Sequence, residues 1–486
     1  MTKRPYSRQR MQRMQRMQRW TLAALTMSVL SACAIGPDYQ RPELALPQQW
    51  QATPAEQLSG LQQWWQSFND PALTALIDES FAHNSNLKAA VAAVEAAAAQ
   101  LQLARADYWP TVDLGVNGVK ARSSEVLTPA GQPLTTTTYQ AGLVLEYEID
   151  LWGKIRRANE AALAELDANV AAHDAVRSVL AANVAQAYFQ LQALDQQIAL
   201  AERTLQTRQE NVRLQQKRLD SGLISPYDFE QARSEAEAIA AQVPAQKAAR
   251  AKVQTALAVL RGQSPQAMVS AWQRAGAVSG NGETSAVLPA APVVPMDLPS
   301  ELLNRRPDIR QAEARLKAAN ARIGVAKADY LPSLSLTGFA GGVSDALSSV
   351  LEAPAKVWEV ALGLSQPLTS LYRVNANVGT AEANAQAQTA AYVNTVQTAF
   401  KETLDALSTL ASTREIQAAQ QRRVEALRNG YRVARLRYDA GRIGYLELLD
   451  VERQLRQVEQ EQVQAQLDQL NATVDLYRAL GGGWQS

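Results

Sequence analysis

Two stretches of this chain, residues 154–219 and 373–439, contain no proline. Along the first stretch, apolar residues recur at alternating steps of four and three, which is the heptad spacing of a coiled-coil seam. At 1.5 Å per residue, each stretch would form a helix about 100 Å long. No single globular domain accommodates such a helix, so both are predicted to line an elongated assembly. The seam residues of the first stretch are Val184, Ala187, Leu191, Leu194, Ile198, Ala201 and Leu205.

Polar residues interrupt the apolar stripes of both stretches. We expect these interruptions to belong to helices whose other face meets water. In the second stretch the stripe comprises Val393, Val396, Phe400, Leu407 and Leu410, then Val424, Leu427, Tyr431, Ala434 and Tyr438. The interrupting residues are Arg208, Gln215, Arg414, Gln417 and Gln421.

The chain also contains an internal repeat. The segment Ala104–Pro110 recurs 222 residues later as Ala326–Pro332, and Arg218–Ile224 recurs 219 residues later as Arg437–Ile443. The matches keep their order along the chain, which indicates a tandem duplication. A further match joins Leu260-Arg-Gly262 to Leu480-Gly-Gly482.

Each half is predicted to contain a helix, a strand hairpin, a long helix, a turn and a last helix. Repeat 1 spans 71–262 and repeat 2 spans 299–482, separated by a proline-containing linker at 263–298. A short C-terminal tail, 483–486, follows. The predicted strands are about 110–120, 138–148, 332–342 and 356–366, and the helices after them are about 154–219, 226–261, 373–439 and 445–480.

The predicted strands alternate apolar residues with small or polar ones. In the first strand, Val112, Leu114 and Val116 alternate with Asp113 and Gly115. Strands of about ten residues with one apolar face match those of membrane barrels, although surface hairpins on a helical protein fit the same pattern. Four strands are too few for a membrane barrel, which needs about eight. A membrane-spanning chain must therefore oligomerise to hide its strand edges from lipid, and three copies would supply twelve strands.

The N-terminus has the parts of a secretory signal peptide. A basic stretch reaches Arg19, an apolar run covers 20–30, and Leu30-Ser31-Ala32-Cys33 follows. The apolar run is too short to span a bilayer. Four methionines are candidate starts of this segment: Met1, Met11, Met14 and Met17.

The residues Leu30–Cys33 resemble a bacterial lipobox. In that interpretation the signal peptide 1–32 is removed and Cys33 becomes the first residue, carrying a diacylglycerol and an N-acyl chain. Residues 33–70 would then be a lipid-anchored N-terminal segment, and Ala34, in place of an aspartate, favours sorting to the outer membrane. The alternative is a leftover thiol near an ordinary cleavage site.

Hydropathy and charge narrow the class of protein further. No other segment has 18 consecutive apolar residues, so any membrane crossing is expected to be made by strands. Of the 48 basic residues, seven precede Cys33, which leaves 41 against 47 acidic residues, a net charge of −6. The basic residues are dispersed among acidic ones rather than concentrated on one face, so no nucleic-acid partner is expected.

No catalytic constellation is evident in the sequence. The two histidines, His83 and His173, are far apart and read as polar positions in helices. Cys33 is the only cysteine, which excludes an internal disulfide and a cysteine-based zinc site. We therefore expect that the chain is not an enzyme, that it has no metal site, and that it carries no cofactor apart from the covalent lipid on Cys33.

Four motifs together resemble those of a known family. Residues 302–313 read LLNRRPDIRQAE and residues 319–332 read ANARIGVAKADYLP. Residues 36–42 (GPDYQRP) and 147–154 (YEIDLWGK) are similar to the mature start and to the head of the first long helix in the same family. The chain resembles the OprM-type outer-membrane factors, which are related to TolC, and specifically the NodT subfamily of lipoproteins that serve RND-type efflux pumps. The resemblance covers about 33–482, and Leu371-Tyr372-Arg373 departs from it where the family often has Gly-Gly-Arg.

The resemblance implies a mainly α-helical homotrimer with a membrane β-barrel. Twelve strands would form the barrel in the outer-membrane lipid, continuous with a periplasmic tunnel of twelve helices. The linker 263–298 and the termini would wrap the tunnel as a belt. The tube would dock to a periplasmic adaptor, or membrane fusion protein, and to an inner-membrane pump of the RND type. It would thus be the exit channel for drugs or other small molecules, with the cargo among drugs, solvents, metal ions and siderophores left open.

The two repeated turns are predicted to form the inner mouth of the tunnel, because they lie at the ends of the long helices away from the hairpins. On the following helix, Leu446, Asp450 and Arg453 share one face at spacings of four and three. By resemblance this face narrows the channel: Leu446 gives an apolar ring, Asp450 an acidic ring that favours cations, and Arg453 a tether. Ordinary seam packing and a solvated ion pair are the alternative. The remaining candidates are Tyr438 and Glu447 on the gate and Asp220, Gly222, Asp439 and Gly441 at the turns.

Two other functions fit parts of the sequence. A passive porin would need the strands but has no use for periplasmic helices of this length. A structural lipoprotein tether would need the lipid and the helices but not the amphipathic hairpins. Conductance separates the three functions, because a porin conducts steadily, a gated exit channel conducts barely and a tether does not conduct.

Overall fold

The computed structural model describes residues 34–44, 63–129, 132–270, 288–292, 294 and 305–482. The signal peptide 1–32, the lipidation site Cys33, the tail 483–486 and most of the linker 263–298 lie outside the described residues. The main elements, in chain order, are α1 (Pro71–His83), α2 (Ser85–Ala106), β1 (Thr111–Arg122), β2 (Thr135–Glu148), α3 (Lys154–Asp220), α4 (Pro226–Leu260), α5 (Pro307–Ala328), β3 (Ser333–Ser344), β4 (Lys356–Ser365), α6 (Leu371–Asp439) and α7 (Tyr445–Ala479).

The two long helices are uninterrupted. Helix α3 has 67 residues and α6 has 69, which at 1.5 Å per residue makes each about 100 Å long. Helix α6 begins at Leu371, two residues before the predicted start, because the amides of Arg373 and Val374 both donate to the Ser370 carbonyl. The residues that depart from the family pattern therefore form the first turn of this helix.

The turns after the long helices have the same geometry in both halves. Gly222 and Gly441 have φ values of 67° and 68°, a conformation that costs other residues free energy because of their Cβ. In each turn the glycine amide donates a hydrogen bond to the carbonyl three residues earlier and closes the helix end. Gly222 donates to Leu219, and Gly441 donates to Tyr438. These equivalent turns are the structural counterpart of the repeated sequence.

One detail of the predicted repeat is wrong. The last helices, α4 and α7, end at caps with the same dihedrals, φ −76° and ψ −2° at both Arg261 and Leu480. The glycines that follow, Gly262 and Gly481, have φ values of 65° and 76°. Gly262 therefore corresponds to Gly481 rather than Gly482, because the helix end requires the left-handed glycine immediately after its cap.

The chain divides into two compact units that do not coincide with the tandem halves. One unit contains residues 94–169 and 312–393 with the N-terminal residues before 44, and the other contains 44–93, 170–311 and 394–486. Each unit draws residues from both repeats. The reason is that α3 and α6 each continue through both units, so the sequence repeat is not a folding boundary.

In the first unit, four antiparallel strands form one sheet in the order β1-β2-β3-β4. Within each half, β1 pairs with β2 and β3 pairs with β4, as hairpins do. The halves are joined by β2 and β3, where Gly142 lies opposite Gly341. Strand β2 begins at Thr135, three residues before the predicted start, because the β-branched threonines 135–138 continue the ladder to Arg122.

In the second unit, an aromatic cluster packs with aliphatic side chains to form the core. Trp64 stacks on Tyr477 with ring centroids 5.4 Å apart, and Phe68 lies 5.0 Å from Phe189. The Tyr188 hydroxyl donates to Asp70 at 2.8 Å, and burial together with this carboxylate raises the pKa of Tyr188. The cluster fixes the 63–68 turn against α3 and α7.

The expected exposure of the polar stripe residues is wrong for α3. Arg208 is 3% exposed and Gln215 is 1% exposed. Arg208 is buried because it pairs with Glu452 of α7 at 3.2 Å, and Gln215 donates to Asn211 at 3.2 Å. In α6, Arg414 and Gln417 are half-buried and Gln421 is exposed.

Among the described helices, α2 alone is long and apolar enough to cross a membrane, by length and composition only. Its mean hydropathy reaches 1.2 in an 18-residue window, and 11% of that window is buried. Alanine supplies most of this hydropathy, and Lys88 and Glu95 interrupt it. One such helix is weak evidence for a membrane span.

The β2–β3 junction provides a test of the fold. A Cβ added at Gly341 would lie 2.2 Å from the Ala141 carbonyl oxygen, whereas at Gly338 the nearest atom would be 3.5 Å away. We expect Gly341→Ala to lower the free energy of unfolding by about 1–3 kcal/mol, measured by denaturant titration in detergent. Gly338→Ala on the same strand is the control. Equal stability of the two variants would contradict the observed register.

Candidate functional site

The strand register places most of the large apolar residues of the four strands on one face of the sheet. Leu114 lies opposite Leu143, which lies opposite Ala340, which lies opposite Trp358. Directly opposed residues share a face, and every second residue along a strand returns to it. The large apolar residues on this face are Val112, Leu114, Val116, Tyr139, Leu143, Leu145, Tyr147, Leu334, Leu336, Trp358, Val360, Leu362 and Leu364.

The opposite face of the sheet is mostly small or polar. It carries Asp113, Asn117 and Gln140 from the first hairpin and Ser335 and Thr337 from the second. The sheet is therefore amphipathic across its whole width. A hairpin alone would show this alternation, but only the β2–β3 register shows that both hairpins turn their apolar residues to the same side.

Most of the apolar face is uncovered in the described chain, although the Val350 backbone lies over it at Gly342. Leu114 is 75% exposed, Trp358 is 80% exposed and Leu364 is 70% exposed. Contiguous exposed apolar surface marks contact with protein or membrane. The two outer strands, β1 and β4, each have one strand neighbour in the described chain, so each presents an open edge of backbone donors and acceptors.

The N-terminal motif forms a strap against the base of this sheet. We define the strap as residues 34–41. The Ile35 amide donates to the Trp152 carbonyl at 3.1 Å. A Cβ at Gly153 would lie 2.9 Å from the Ala34 Cα, and one at Gly324 would lie 2.6 Å from the Ile35 oxygen. The strap thus begins, one residue after Cys33, in tight contact with the segment between β2 and α3.

Charged contacts hold the rest of the strap. Asp38 pairs with Arg157 at 2.7 Å, and Arg41 pairs with Glu313 at 2.8 Å. The Tyr39 hydroxyl also donates to Glu313, at 3.2 Å. Burial and this carboxylate raise the pKa of Tyr39, so the hydroxyl stays protonated and continues to donate. Residues from all four motifs that carry the family resemblance therefore meet at one place.

The first part of the 302–313 motif has a structural role in the second unit. Arg306 donates to Asp308 and to Glu402 at 2.7 Å, and to the Ala479 carbonyl at the end of α7 at 3.0 Å. Burial alone would lower the pKa of Arg306, but the two carboxylates outweigh it and leave the pKa raised. This guanidinium joins the start of α5 to α6 and to the end of α7.

At the predicted mouth, the first turns of α7 carry the gate candidates on an exposed face. Leu446 is 42% exposed, while the adjacent Leu448 and Leu449 are buried and fill the helix seam. Asp450 is exposed and accepts a hydrogen bond from Gln454 at 2.7 Å. Arg453 lies 3.6 Å from Glu235 of α4. Leu446 is thus not packed in the seam of its own chain, and the ion pair that Arg453 makes in this chain is with α4.

The other predicted mouth residues have local partners. Tyr438 accepts a hydrogen bond from Arg218 of α3, whose guanidinium carbon lies 5.7 Å from its ring centroid. Glu447 is exposed in the first turn of α7, where a negative charge is favoured by the helix dipole. At the turns, Asp220 accepts from Gln216 at 2.8 Å and Asp439 pairs with Arg435 at 3.3 Å.

Sequence reasoning missed a buried polar cluster behind this face. The cluster consists of Arg208 on α3 and Tyr445 and Glu452 on α7. Gln215, two turns beyond Arg208 on α3, is also buried. Burial raises the pKa of Tyr445, and the nearby Arg208 charge opposes that increase. The sequence did contain a signal for it. Arg208 and Gln215 are seven residues apart, as are Tyr445 and Glu452, so polar residues occupy seam positions at the heptad spacing on both helices.

Comparison with known proteins agrees with these features. A family model described as "Outer membrane efflux protein" matches residues 76–263 and 298–482. The chain is 34% identical over 469 residues to the toluene efflux pump outer membrane protein TtgC of Pseudomonas putida, with 95% of each chain covered. It is 33% identical over 464 residues to the cation efflux system protein CusC of Escherichia coli, covering 94% of this chain and 97% of the relative. The solved open state of the MtrE outer membrane channel of Neisseria gonorrhoeae matches with a TM-score of 0.79 at 31% identity, covering 93% of this chain and 98% of that one.

These similarities define the class as outer-membrane channels of efflux systems. The chain belongs to the outer membrane efflux protein family. It is the outer-membrane component of an efflux pump. The family resemblance, the function and the outer-membrane localisation predicted from the sequence are confirmed.

The two faces of the sheet predict opposite responses to the same new charge. Leu114→Arg places a guanidinium on the apolar face, where the cost in lipid is about 2–4 kcal/mol near the bilayer centre. Asn117→Arg places it on the polar face of the same strand. We expect Leu114→Arg to reduce the protein recovered in the outer-membrane fraction, with Asn117→Arg close to wild type. Equal recovery of both would show that the apolar face does not meet lipid.

Proposed function

We propose that three copies of the chain close their sheets into one twelve-stranded barrel and form the exit channel of a tripartite efflux pump. The single observation that carries the proposal is the exposed apolar face of a sheet whose outer strands, β1 and β4, have open edges. A barrel satisfies both features at once. Lipid covers the apolar face, and each β1 pairs with β4 of a neighbouring copy.

The physical argument for closure is the cost of unpaired backbone groups. In a bilayer each unsatisfied donor or acceptor costs several kcal/mol, so a four-stranded sheet cannot remain open there. Two copies would reach about eight strands, the minimum for a barrel. The number three rests on the family resemblance, and it gives twelve strands of 10–14 residues, the length required to cross a bilayer at a tilt.

The proposed lipid on Cys33 would anchor each copy at the membrane. The strap begins at Ala34 and contacts Gly153, between β2 and α3, so an acyl chain on the preceding residue would start near the periplasmic end of the barrel. Several acyl chains hold a protein at a membrane more stably than one. The lipid would supplement the barrel rather than replace it.

The long helices would form the periplasmic tunnel. Four helices per copy, α3, α4, α6 and α7, give twelve in the trimer. The channel carries no energy source of its own in this proposal, and a periplasmic adaptor and an inner-membrane pump of the RND type would set the direction of transport. The matched relatives are named for efflux of toluene and of cations at nearly equal identity, so we propose small molecules as the cargo class and leave the choice among them to the pump.

We further propose that the exposed face of α7 closes the mouth. Three copies of Leu446 would form an apolar ring and three copies of Asp450 an acidic ring that favours cations. The pairing of Arg453 with Glu235 would hold α7 against α4 in the closed state. Tyr438 would support this state through its contact with Arg218.

Mass measurement tests the assembly and the anchor together. Native mass spectrometry from detergent should give three times the mass of the mature chain. The denatured chain should begin at Cys33 and carry the added lipid, because the signal peptide ends at residue 32. A folded monomer would refute the shared barrel, and an unmodified Cys33 would refute only the anchor.

Conductance tests the gate. We expect the double variant Leu446→Ala with Arg453→Ser to raise the conductance of single channels in planar bilayers, because it removes the apolar ring and the tie to α4. Asp450→Asn should chiefly lower the preference for cations. Steady conduction by the wild type would indicate a porin, and no conduction by any variant would indicate a tether. Unchanged conductance of the double variant alone would place the gate elsewhere.

A further inference from the structure

A pair of opposite charges is buried between α3 and α7. The Arg208 Nη1 atom lies 3.2 Å from Glu452 Oε2, and the two side chains are only 3% and 7% exposed. In every other ion pair within the described part of the chain, at least one partner is more exposed than either of these. Arg208 occupies the next seam position of α3 seven residues after Ala201, where the heptad pattern would place an apolar residue.

Hydrogen bonds do not complete this pair. The approach of Arg208 Nη1 to Glu452 lacks hydrogen-bond geometry, and among the described residues Arg208 Nε and Glu452 Oε1 have no partner either. The Tyr445 hydroxyl lies beside the Arg208 guanidinium but does not complete its hydrogen bonding. Attraction between buried charges offsets their lost hydration only when the geometry and the remaining hydrogen bonds are good. The pair itself therefore adds little to the strength of the α3–α7 contact.

Glu452 lies on the opposite side of α7 from the gate candidate Asp450. It contacts Arg208 of α3, and Leu448 and Leu449 are buried on the same helix. Asp450, two residues before Glu452, is on the exposed face, since two residues turn a helix by about 200°. Any movement of this part of α7 away from α3 would carry the gate face with it.

We propose that the Arg208–Glu452 pair is a positioning element that keeps the start of α7 only loosely attached to α3, so that the mouth can change between two packings. In the closed packing the charges are paired and dry. In the open packing each charge is hydrated separately, which compensates for the lost contact. The proposal rests on the proposed channel function and assigns the control of its gate to a pair outside the pore-facing residues.

Single and double substitutions of the pair separate this role from simple packing. Glu452→Leu leaves the Arg208 charge buried without a partner, so we expect the closed packing to weaken and the open fraction to rise about tenfold or more. Adding Arg208→Met makes the contact apolar and should return conductance to the wild-type value or below it. The charge reversal Arg208→Glu with Glu452→Arg should stay near wild type. Conductance of single channels in planar bilayers is the readout.

An exposed ion pair between α6 and α7 supplies the matched control. Arg423 and Glu461 lie 2.7 Å apart with side chains 53% and 34% exposed. Glu461→Leu, alone or with Arg423→Met, should leave conductance unchanged, because exposed pairs contribute little. Recovery of the oligomer and circular dichroism of each variant show whether the fold is intact. If Glu452→Leu does not fold, the charge-reversed variant, which keeps a buried ion pair, still tests the proposal.

The apolar double substitution should also act on an opened channel. Added to the Leu446→Ala, Arg453→Ser variant, Arg208→Met with Glu452→Leu should lower its conductance several-fold by tightening α7 on α3. Wild-type conductance of a folded Glu452→Leu variant would overturn the proposal, as would a double variant that conducts like Glu452→Leu. Absence of conductance in every variant would overturn the channel function itself. Conduction by the gate variant with no response to the Arg208–Glu452 substitutions would overturn this inference alone.

Discussion

The backbone of a sheet edge needs hydrogen-bond partners, and this requirement organises the first compact unit. The sheet has an apolar face that is mostly uncovered in the described chain, and its outer strands have open edges. In water such a sheet would recruit other strands without control. In a bilayer, closure by further copies is the solution that leaves no edge. The glycines where β2 pairs with β3 serve the same requirement. They let the backbones of the two strands approach, so that the two halves of the chain contribute adjacent strands to one sheet.

The sheet in turn fixes the start of α3. The Asp150 carboxylate accepts hydrogen bonds from the amides of Ile155 and Arg156, each at 3.0 Å, which satisfies donors that a helix N-terminus leaves free. The Trp152 indole donates to the Pro332 carbonyl just before β3 at 2.8 Å. Contacts from the two halves therefore set the direction of the helix at its first turn, and the strap packs against the same segment.

The second unit contains two buried arginines with opposite surroundings. Arg306 makes hydrogen bonds to two carboxylates and a helix-end carbonyl, so its charge is fully compensated. Arg208 has one carboxylate nearby and incomplete hydrogen bonding. A compensated buried charge fixes a junction, whereas an uncompensated one limits the strength of a contact. The two arginines accordingly suit a rigid junction and a movable helix start.

The sequence alone determined the long helices, the turns, the strands and the family, because these follow from local periodicity, glycine positions and contiguous motifs. The predicted long helix at 154–219 and the observed Lys154–Asp220 differ by one residue at the end. The gate candidates Leu446, Asp450 and Arg453 could be grouped on one face from spacing alone.

Tertiary structure decided what depends on contacts between distant segments. The register of β2 against β3 set which face of the sheet is apolar, and the pairing with Glu452 made Arg208 a buried residue instead of a solvated one. Heptad spacing shows that a residue lies on the seam side of a helix, but whether that position is wet or dry depends on the side chain supplied by the opposite helix. That partner is 244 residues away from Arg208 in the sequence, and no local pattern specifies it.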